Sequence, residues 1–182
     1  MKMQKLIIIV IVFLSSISSY GQKEERFELK GAAKLIATWT GELANDASGV
    51  LSCGDQISIS TRQIGIYVNV IHNNIWKELF TTGGEDILVS TIIKVYEYDF
   101  DSDGQNEIIV VNSPEYSLLT VEVFKYSGGL KERVGKFIGQ FDIVLDKNTV
   151  FLPFGSQGMG AEYLYKNGSF FELIYHNPDK EE

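Results

Sequence analysis

Apolar and polar residues alternate along much of the chain with the two-residue period of a β-strand. The clearest case is the segment 64–70, where Ile64, Ile66, Val68 and Val70 alternate with smaller or more polar residues. Such alternation predicts a strand with one apolar face. Aromatic and β-branched residues are plentiful, Pro is scarce, and Gly, Asn and Asp recur at short intervals. We therefore predict an all-β fold, a single domain of antiparallel hairpins arranged as a meander or sandwich.

Short polar and glycine-containing segments mark the turns between the predicted strands. The continuous β-branched run Ile108–Val111 is expected of a strand that is covered on both faces. Residues 27–38 are compatible with a helical turn or two, but we favour a strand at Leu35–Trp39. The remaining expectations are turns at 72–74, 81–84 and 127–129, and strands at 75–80, 87–98, 118–126 and 130–138.

The dipeptide Asn167-Gly168 is the strongest hairpin signal, because both residues readily adopt the positive φ of a type I′ turn. A two-residue turn at this point pairs Tyr165 with Phe170 across the hairpin. We expect the aromatic side chains of this hairpin to lie in the core. A carbohydrate-stacking platform is the alternative.

The N-terminus has the charged, apolar and small-residue regions of a secretory signal, in that order. Lys2 and Lys5 precede an apolar run over 6–14, which is much shorter than the roughly 20 residues of a membrane-spanning helix. No cysteine stands at the expected cleavage point to carry a lipid, so we expect a secreted or periplasmic protein with no membrane anchor in its mature form. The predicted division is a signal peptide at 1–21, an all-β domain at 22–176 and a flexible tail at 177–182.

The charge of the mature chain excludes one class of partner. Removing residues 1–21 leaves 14 basic against 24 acidic side chains, a formal net charge of −10. A chain this acidic has no general attraction for phosphate backbones, so we predict no nucleic-acid binding. The single cysteine, Cys53, cannot form an internal disulfide and is expected to be a small core residue. His72 and His176 are expected at the surface rather than in a site.

One segment, Asp99–Glu107, has the composition of a calcium-binding loop. Counting Asp99 as position 1, carboxylates occupy positions 1, 3, 5 and 9, and Gly104 occupies position 6. Calcium takes about six to eight oxygen ligands at roughly 2.3–2.6 Å, and a glycine lets the chain turn so that a following carbonyl can join them. We predict a Ca²⁺ site with these ligands: Asp99, Asp101, Asp103, the carbonyl of Gln105 and, directly or through water, Glu107.

The loop is not a complete EF-hand, since Val110 stands where the bidentate glutamate belongs and the flanking segments are predicted strands. It resembles the FG-GAP/VCBS-type repeat, whose loop runs D-x-D-x-D-G-x-x-[DE] into an apolar strand. The likeness covers about residues 96–124, in a single copy. The resemblance implies a calcium ion that joins two strands of a propeller blade. A closed propeller needs several blades, so with one acidic loop we expect the other residues to form a sheet or sandwich of their own.

Several functions are compatible with these residues. Asp and Gly are favoured in turns for local reasons, so a metal-free hairpin connection is the alternative to calcium binding. With calcium bound, we expect a structural role for the ion and a domain that binds an unidentified protein or glycan. The alternatives are a secreted hydrolase that uses paired carboxylates and a secreted inhibitor or immunity-type protein that inserts the loop Pro153–Gly160 into a partner. The sequence leaves open whether the protein is an enzyme.

Overall fold

Strands and the turns between them form nearly all of the structure. The computed structural model describes residues 27–41, 46–62, 65–83, 91–114, 118–154 and 159–173. The predicted signal peptide at 1–21, His176 and the predicted tail at 177–182 lie outside these residues. In chain order the strands are β1 (Leu29–Lys30), β2 (Lys34–Thr40), β3 (Ala47–Val50), β4 (Gln56–Arg62), β5 (Gly65–His72), β6 (Ile75–Gly83), β7 (Ile92–Tyr98), β8 (Glu107–Ser113), β9 (Leu119–Ser127), β10 (Leu130–Gly139), β11 (Ile143–Asp146), β12 (Thr149–Phe154), β13 (Met159–Lys166) and β14 (Ser169–Leu173).

The described strands form three sheets, and each sheet is built on four strands that are consecutive in the chain. The first sheet has the order β3-β4-β5-β6, the central sheet β10-β9-β8-β7-β2 and the last sheet β1-β11-β12-β13-β14. Neighbouring strands run antiparallel except for β1, which pairs with β11 in parallel. The predicted all-β class is therefore confirmed, with antiparallel meanders and no closed barrel in the described part. Within the same residues no helix is long and apolar enough to cross a membrane.

The central sheet lies between the other two and contributes to a separate apolar core on each face. All seven residues of β8 are buried. Ile108 and Val110 pack in one core with the first sheet, while Ile109 and Val111 pack in the other with the last sheet. Successive side chains of a strand point to opposite faces, so the unbroken apolar run supplies both cores. The predicted burial of this run on both faces is confirmed.

Turn chemistry sets the hairpins largely as predicted. Asn73 and Asn74 have φ values of 49° and 64° between β5 and β6, and Gly128 and Gly129 have 54° and 79° between β9 and β10. The expected strand at Leu35–Trp39 lies within β2. The predicted turn at 81–84 is wrong for residues 81–83, because β6 continues to Gly83 and pairs with Gly65. Two threonines before a glycine pair with β5 instead of ending the strand, because β-branched residues suit a strand.

The last hairpin has the predicted register. Tyr165 pairs with Phe170 across Asn167-Gly168, whose φ values of 53° and 78° are those of a type I′ turn. The Tyr165 side chain is 1% exposed, and Phe170 packs against the same core. These two rings are core residues and not a carbohydrate platform, whereas Phe171 faces outward and is exposed.

Candidate metal centre

The loop between β7 and β8 folds around the side chain of Asp99. Its Oδ1 accepts the amide hydrogen bond of Asp103 at 3.1 Å, and its Oδ2 accepts that of Gly104 at 2.9 Å. Two residues of the loop have left-handed backbones, Ser102 with φ 57° and Gly104 with φ 84°. Glycine adopts this conformation without the steric cost of a Cβ atom. The loop therefore turns sharply at the position where the sequence places its glycine.

Three carboxylates converge beside this turn. Asp99, Asp101 and Glu107 each offer one oxygen, and these three atoms lie within 4.8 Å of one another. Oxygens that share one calcium ion at roughly 2.3–2.6 Å lie at most about 5 Å apart. The observed spacing is therefore within the range that a single calcium ion can bridge.

Of the other two predicted ligands, Asp103 lies differently, and the carbonyl of Gln105 stays a prediction. Asp103 is not part of the converging group. Its Oδ1 accepts the amide hydrogen bond of Gln105 at 2.7 Å, so the side chain shapes the loop from its outer side. Gln105 lines a neighbouring cavity. Among the described residues, the structure brings together three of the four predicted carboxylates.

Glu107 is the buried member of the group, with 1% of its surface exposed. Its Oε2 accepts the amide hydrogen bond of Phe100 at 3.1 Å, and its Oε1 accepts that of the Tyr165 hydroxyl at 3.1 Å. Burial raises the pKa of the Glu107 carboxyl, although both hydrogen bonds act in the opposite direction. No lysine, arginine or histidine of the described residues forms an ion pair with it. Its charge therefore has no cationic partner in that part of the chain.

Aromatic packing fixes the buried side of the loop. Phe100 is 2% exposed and packs between Tyr98 and Phe170, with ring centres 4.7 and 5.1 Å away. The Tyr165 ring lies 5.5 Å from Phe100, and its hydroxyl reaches Glu107. The sequence predicted Tyr165 only as part of an aromatic hairpin. The phenol hydroxyl of Tyr165 was the only sequence signal of this contact, because a buried tyrosine usually finds a hydrogen-bond partner for its hydroxyl.

A second group of polar side chains surrounds Asp55, in the turn between β3 and β4. Its carboxylate accepts hydrogen bonds from His72 Nδ1 at 2.9 Å and from the Tyr126 hydroxyl at 2.5 Å. Burial raises the pKa of Asp55, but the hydrogen bonds from Tyr126, His72 and Cys53 outweigh it and hold the pKa below its usual value. His72 and Tyr126 are 17 and 71 positions from Asp55, so no local pattern could have grouped these three residues.

Cys53 corrects one prediction. It is exposed, and the expectation of a small core residue is wrong. The cause is its place in the tight turn 51–55, where the Gly54 amide bonds the Leu51 carbonyl at 2.9 Å and Gly54 has φ 93°. The turn directs Leu51 into the core and leaves Cys53 outside.

No protein-family model, curated protein or solved structure matches the chain. The resemblance of the Asp99–Glu107 loop to FG-GAP/VCBS repeats therefore stays a prediction. The three sheets have the four-strand meander that a propeller blade also has, but meanders are common among antiparallel folds. The chemistry of the converging carboxylates is the more direct guide to function.

Proposed function

We propose that the protein is an exported β domain that binds one structural calcium ion at Asp99, Asp101 and Glu107 and acts as a binding module for a protein or glycan. The observation that supports the proposal is the convergence of three carboxylate oxygens within 4.8 Å. Carboxylate oxygens are the ligands that calcium prefers, and three of them attract a divalent cation more strongly than a neutral turn would.

The structural role that we propose for the ion follows from the strands that its three ligands adjoin. Glu107 begins β8, the strand that is buried along its whole length. Asp99 follows directly after β7 and organises the loop backbone. An ion between them links the ends of two central strands, and Tyr165 extends that link to the last sheet. Without an ion the three carboxylates repel one another, which weakens the same connection.

The alternative functions have less support. A hydrolase that uses paired carboxylates needs two acids that face one cleft, whereas Glu97 is the only acid among the described residues that line the cavity beside the acidic loop. The inhibitor hypothesis depends on the loop Pro153–Gly160, of which residues 155–158 lie outside the described residues. We therefore keep the binding module as the proposed function.

Calcium titration by calorimetry, with thermal melting in calcium and in chelator, tests the proposal. We expect measurable binding, a higher melting temperature with calcium, and loss of both in Asp101→Ala. The matched control is Asp46→Ala, which removes an exposed acid outside the cluster and should behave like the parent. Equal melting in chelator and in millimolar calcium would contradict the site. Sequencing of the exported protein's N-terminus, expected to begin at Gln22, tests the signal peptide.

A further inference from the structure

A cavity of about 220 Å³ opens beside the acidic loop. Three turns line it: Leu51–Cys53 between β3 and β4, Gly104–Asn106 in the acidic loop, and Tyr126–Gly128 at the end of β9. Glu97 and Ile108 complete the lining. The cavity therefore lies where turns of the first and central sheets meet, and the second half of the acidic loop forms one of its walls.

One carboxylate, Glu97, lines this cavity, and a second, Asp55, bonds one of the lining residues. Glu97 is 4% exposed and accepts the Ser52 amide at 2.8 Å and the Ser52 hydroxyl at 2.7 Å, with the Lys34 ammonium 3.5 Å away. Asp55 accepts a hydrogen bond from the hydroxyl of Tyr126 at 2.5 Å. Hydrogen bonds of this kind hold a binding surface in one conformation before a ligand arrives.

The groups that remain available in the cavity are uncharged. They belong to Gln105 and Asn106, which carry side-chain amides, and to Ser127, which carries a hydroxyl. Cys53 also lines the cavity, and its thiol bonds Asp55, while Leu51 and Ile108 line it as buried residues. No lysine or arginine occurs among the described residues that line the cavity, and the Lys34 ammonium beside it lies 3.5 Å from the Glu97 carboxylate, so the lining disfavours a phosphate, sulfate or carboxylate. Amides and hydroxyls both donate and accept hydrogen bonds, as sugar hydroxyls do.

The shape of the cavity disfavours a peptide. Extended peptides are bound at open sheet edges or in long grooves, where the backbone finds repeated partners. This cavity is bordered by three turns, and its volume of about 220 Å³ is below the roughly 300–1,000 Å³ of sites for drug-sized ligands. A single ring with hydroxyl groups fits this size, and its hydroxyls fit the uncharged amides and hydroxyl of the lining.

We propose that this cavity binds one uncharged sugar unit of a glycan and that calcium in the acidic loop fixes the wall formed by Gly104–Asn106. The calcium dependence rests on the proposed function. It follows from continuity along the chain, because the Gly104 amide is bonded to the carboxylate of Asp99, a proposed ligand of the ion. Gln105, one residue further along, lines the cavity.

Cys53 provides the assay, because it is the only cysteine of the chain, is exposed and lines the cavity. The rate at which iodoacetamide alkylates the purified protein reports whether the cavity is filled. The probes are the methyl glycosides of glucose, galactose, mannose and N-acetylglucosamine, each tested in calcium and in chelator. With calcium, at least one glycoside should slow alkylation about tenfold when ~90% of cavities are occupied. In chelator the protection should be lost.

Two variants separate the cavity from the metal site. Gln105→Ala keeps its backbone carbonyl, so it should bind calcium by calorimetry but lose the protection by sugar. Asp101→Ala should lose both. The matched control is Gln140→Ala, which removes the same amide from an exposed position that is not in the cavity lining and should leave both properties unchanged.

Each failure has a distinct signature. Normal calcium binding with no protection by any of the four glycosides overturns the sugar site and leaves the proposed function standing. Absence of calcium binding overturns the proposed function, and sugar protection that persists in chelator overturns the coupling. Protection by an uncharged capped tripeptide but by no glycoside would assign the cavity to a peptide and overturn the sugar site as well.

Discussion

Asp55 and Glu107 are both carboxylates largely withdrawn from solvent, but the protein compensates their charges in different ways. Asp55 receives hydrogen bonds from His72 and Tyr126. Glu107 also receives two hydrogen bonds, but it lies beside Asp99 and Asp101, and no cation of the described residues pairs with it. The pKa of Asp55 is lowered, whereas the pKa of Glu107 is raised by burial. An acid whose partners are all within the chain stabilises the fold by itself, while in the proposed function the acidic loop does so through a bound calcium ion.

The largest expected effect comes from removing the internally compensated acid. Asp55→Ala leaves the Tyr126 hydroxyl and His72 without their acceptor, and we expect a loss of about 3 kcal/mol in the free energy of unfolding, from the desolvation of unpaired buried groups. Urea denaturation in calcium and in chelator measures it, and the loss should be the same in both. The control Asp142→Ala breaks the more exposed pair with Lys30 and should cost clearly less, because exposed ion pairs contribute little to stability. If Asp55→Ala lost stability only in calcium, Asp55 and the acidic loop would have to be treated as a single site.

A smaller loss in the free energy of unfolding, present only with calcium, is expected from changes in the acidic loop. Asp101→Asn should lower the free energy of unfolding by about 2.7 kcal/mol when calcium is 100 times its Kd, and should change it little in chelator. Asp103→Asn is the matched variant. Because the Asp103 carboxylate bonds the Gln105 amide and lies outside the converging group, it should retain most of the calcium affinity. Equal losses of calcium affinity in the two variants would show that Asp103 is a calcium ligand, as the sequence predicted.

The smallest expected effect concerns how the free energy of unfolding changes with pH, measured in chelator. The two acids should change it in opposite directions. The raised pKa of Glu107 means that the folded state holds its proton more tightly, so stability falls as pH rises from its ordinary value of 4.5 through the folded value. The lowered pKa of Asp55 means that stability falls as pH drops from 3.8 through the folded value. Urea titrations against pH should show that Glu107→Gln removes the first trend and that Asp55→Asn removes the second. Trends of the same sign would contradict the difference between the two acids.

The acidic loop was predictable because its chemistry is local. Asp99, Asp101 and Gly104 lie within six residues, and the turn that contains them is closed by the Gly104 amide on the Asp99 carboxylate. Asp103 has the same spacing, but its nearest partner is an amide two residues away, and spacing cannot decide between an amide and an ion. The register of the Asn167-Gly168 hairpin was predictable for the same reason, since two residues with positive φ determine which positions face each other.

The stacking of the sheets and the cavity were not predictable. The run Ile108–Val111 indicated a strand covered on both faces, but nothing local specifies which strands cover it. The cavity joins turns that are about fifty and twenty residues from the acidic loop, and its partners Tyr126 and Asp55 are 71 positions apart. Such groupings depend on how separate meanders pack, and hydrophobic packing is not directional enough to be read from one segment.

The parallel pairing of β1 with β11 has a consequence for the order of assembly. Lys30, beside the N-terminal edge of the fold, meets Asp142 at a separation of 112 positions. Among the described strands β1 pairs only with β11, so this pairing cannot form until most of the polypeptide has been synthesised, and contacts this distant in sequence form slowly. The leading edge of the described fold is therefore completed late, which would suit the export that we propose.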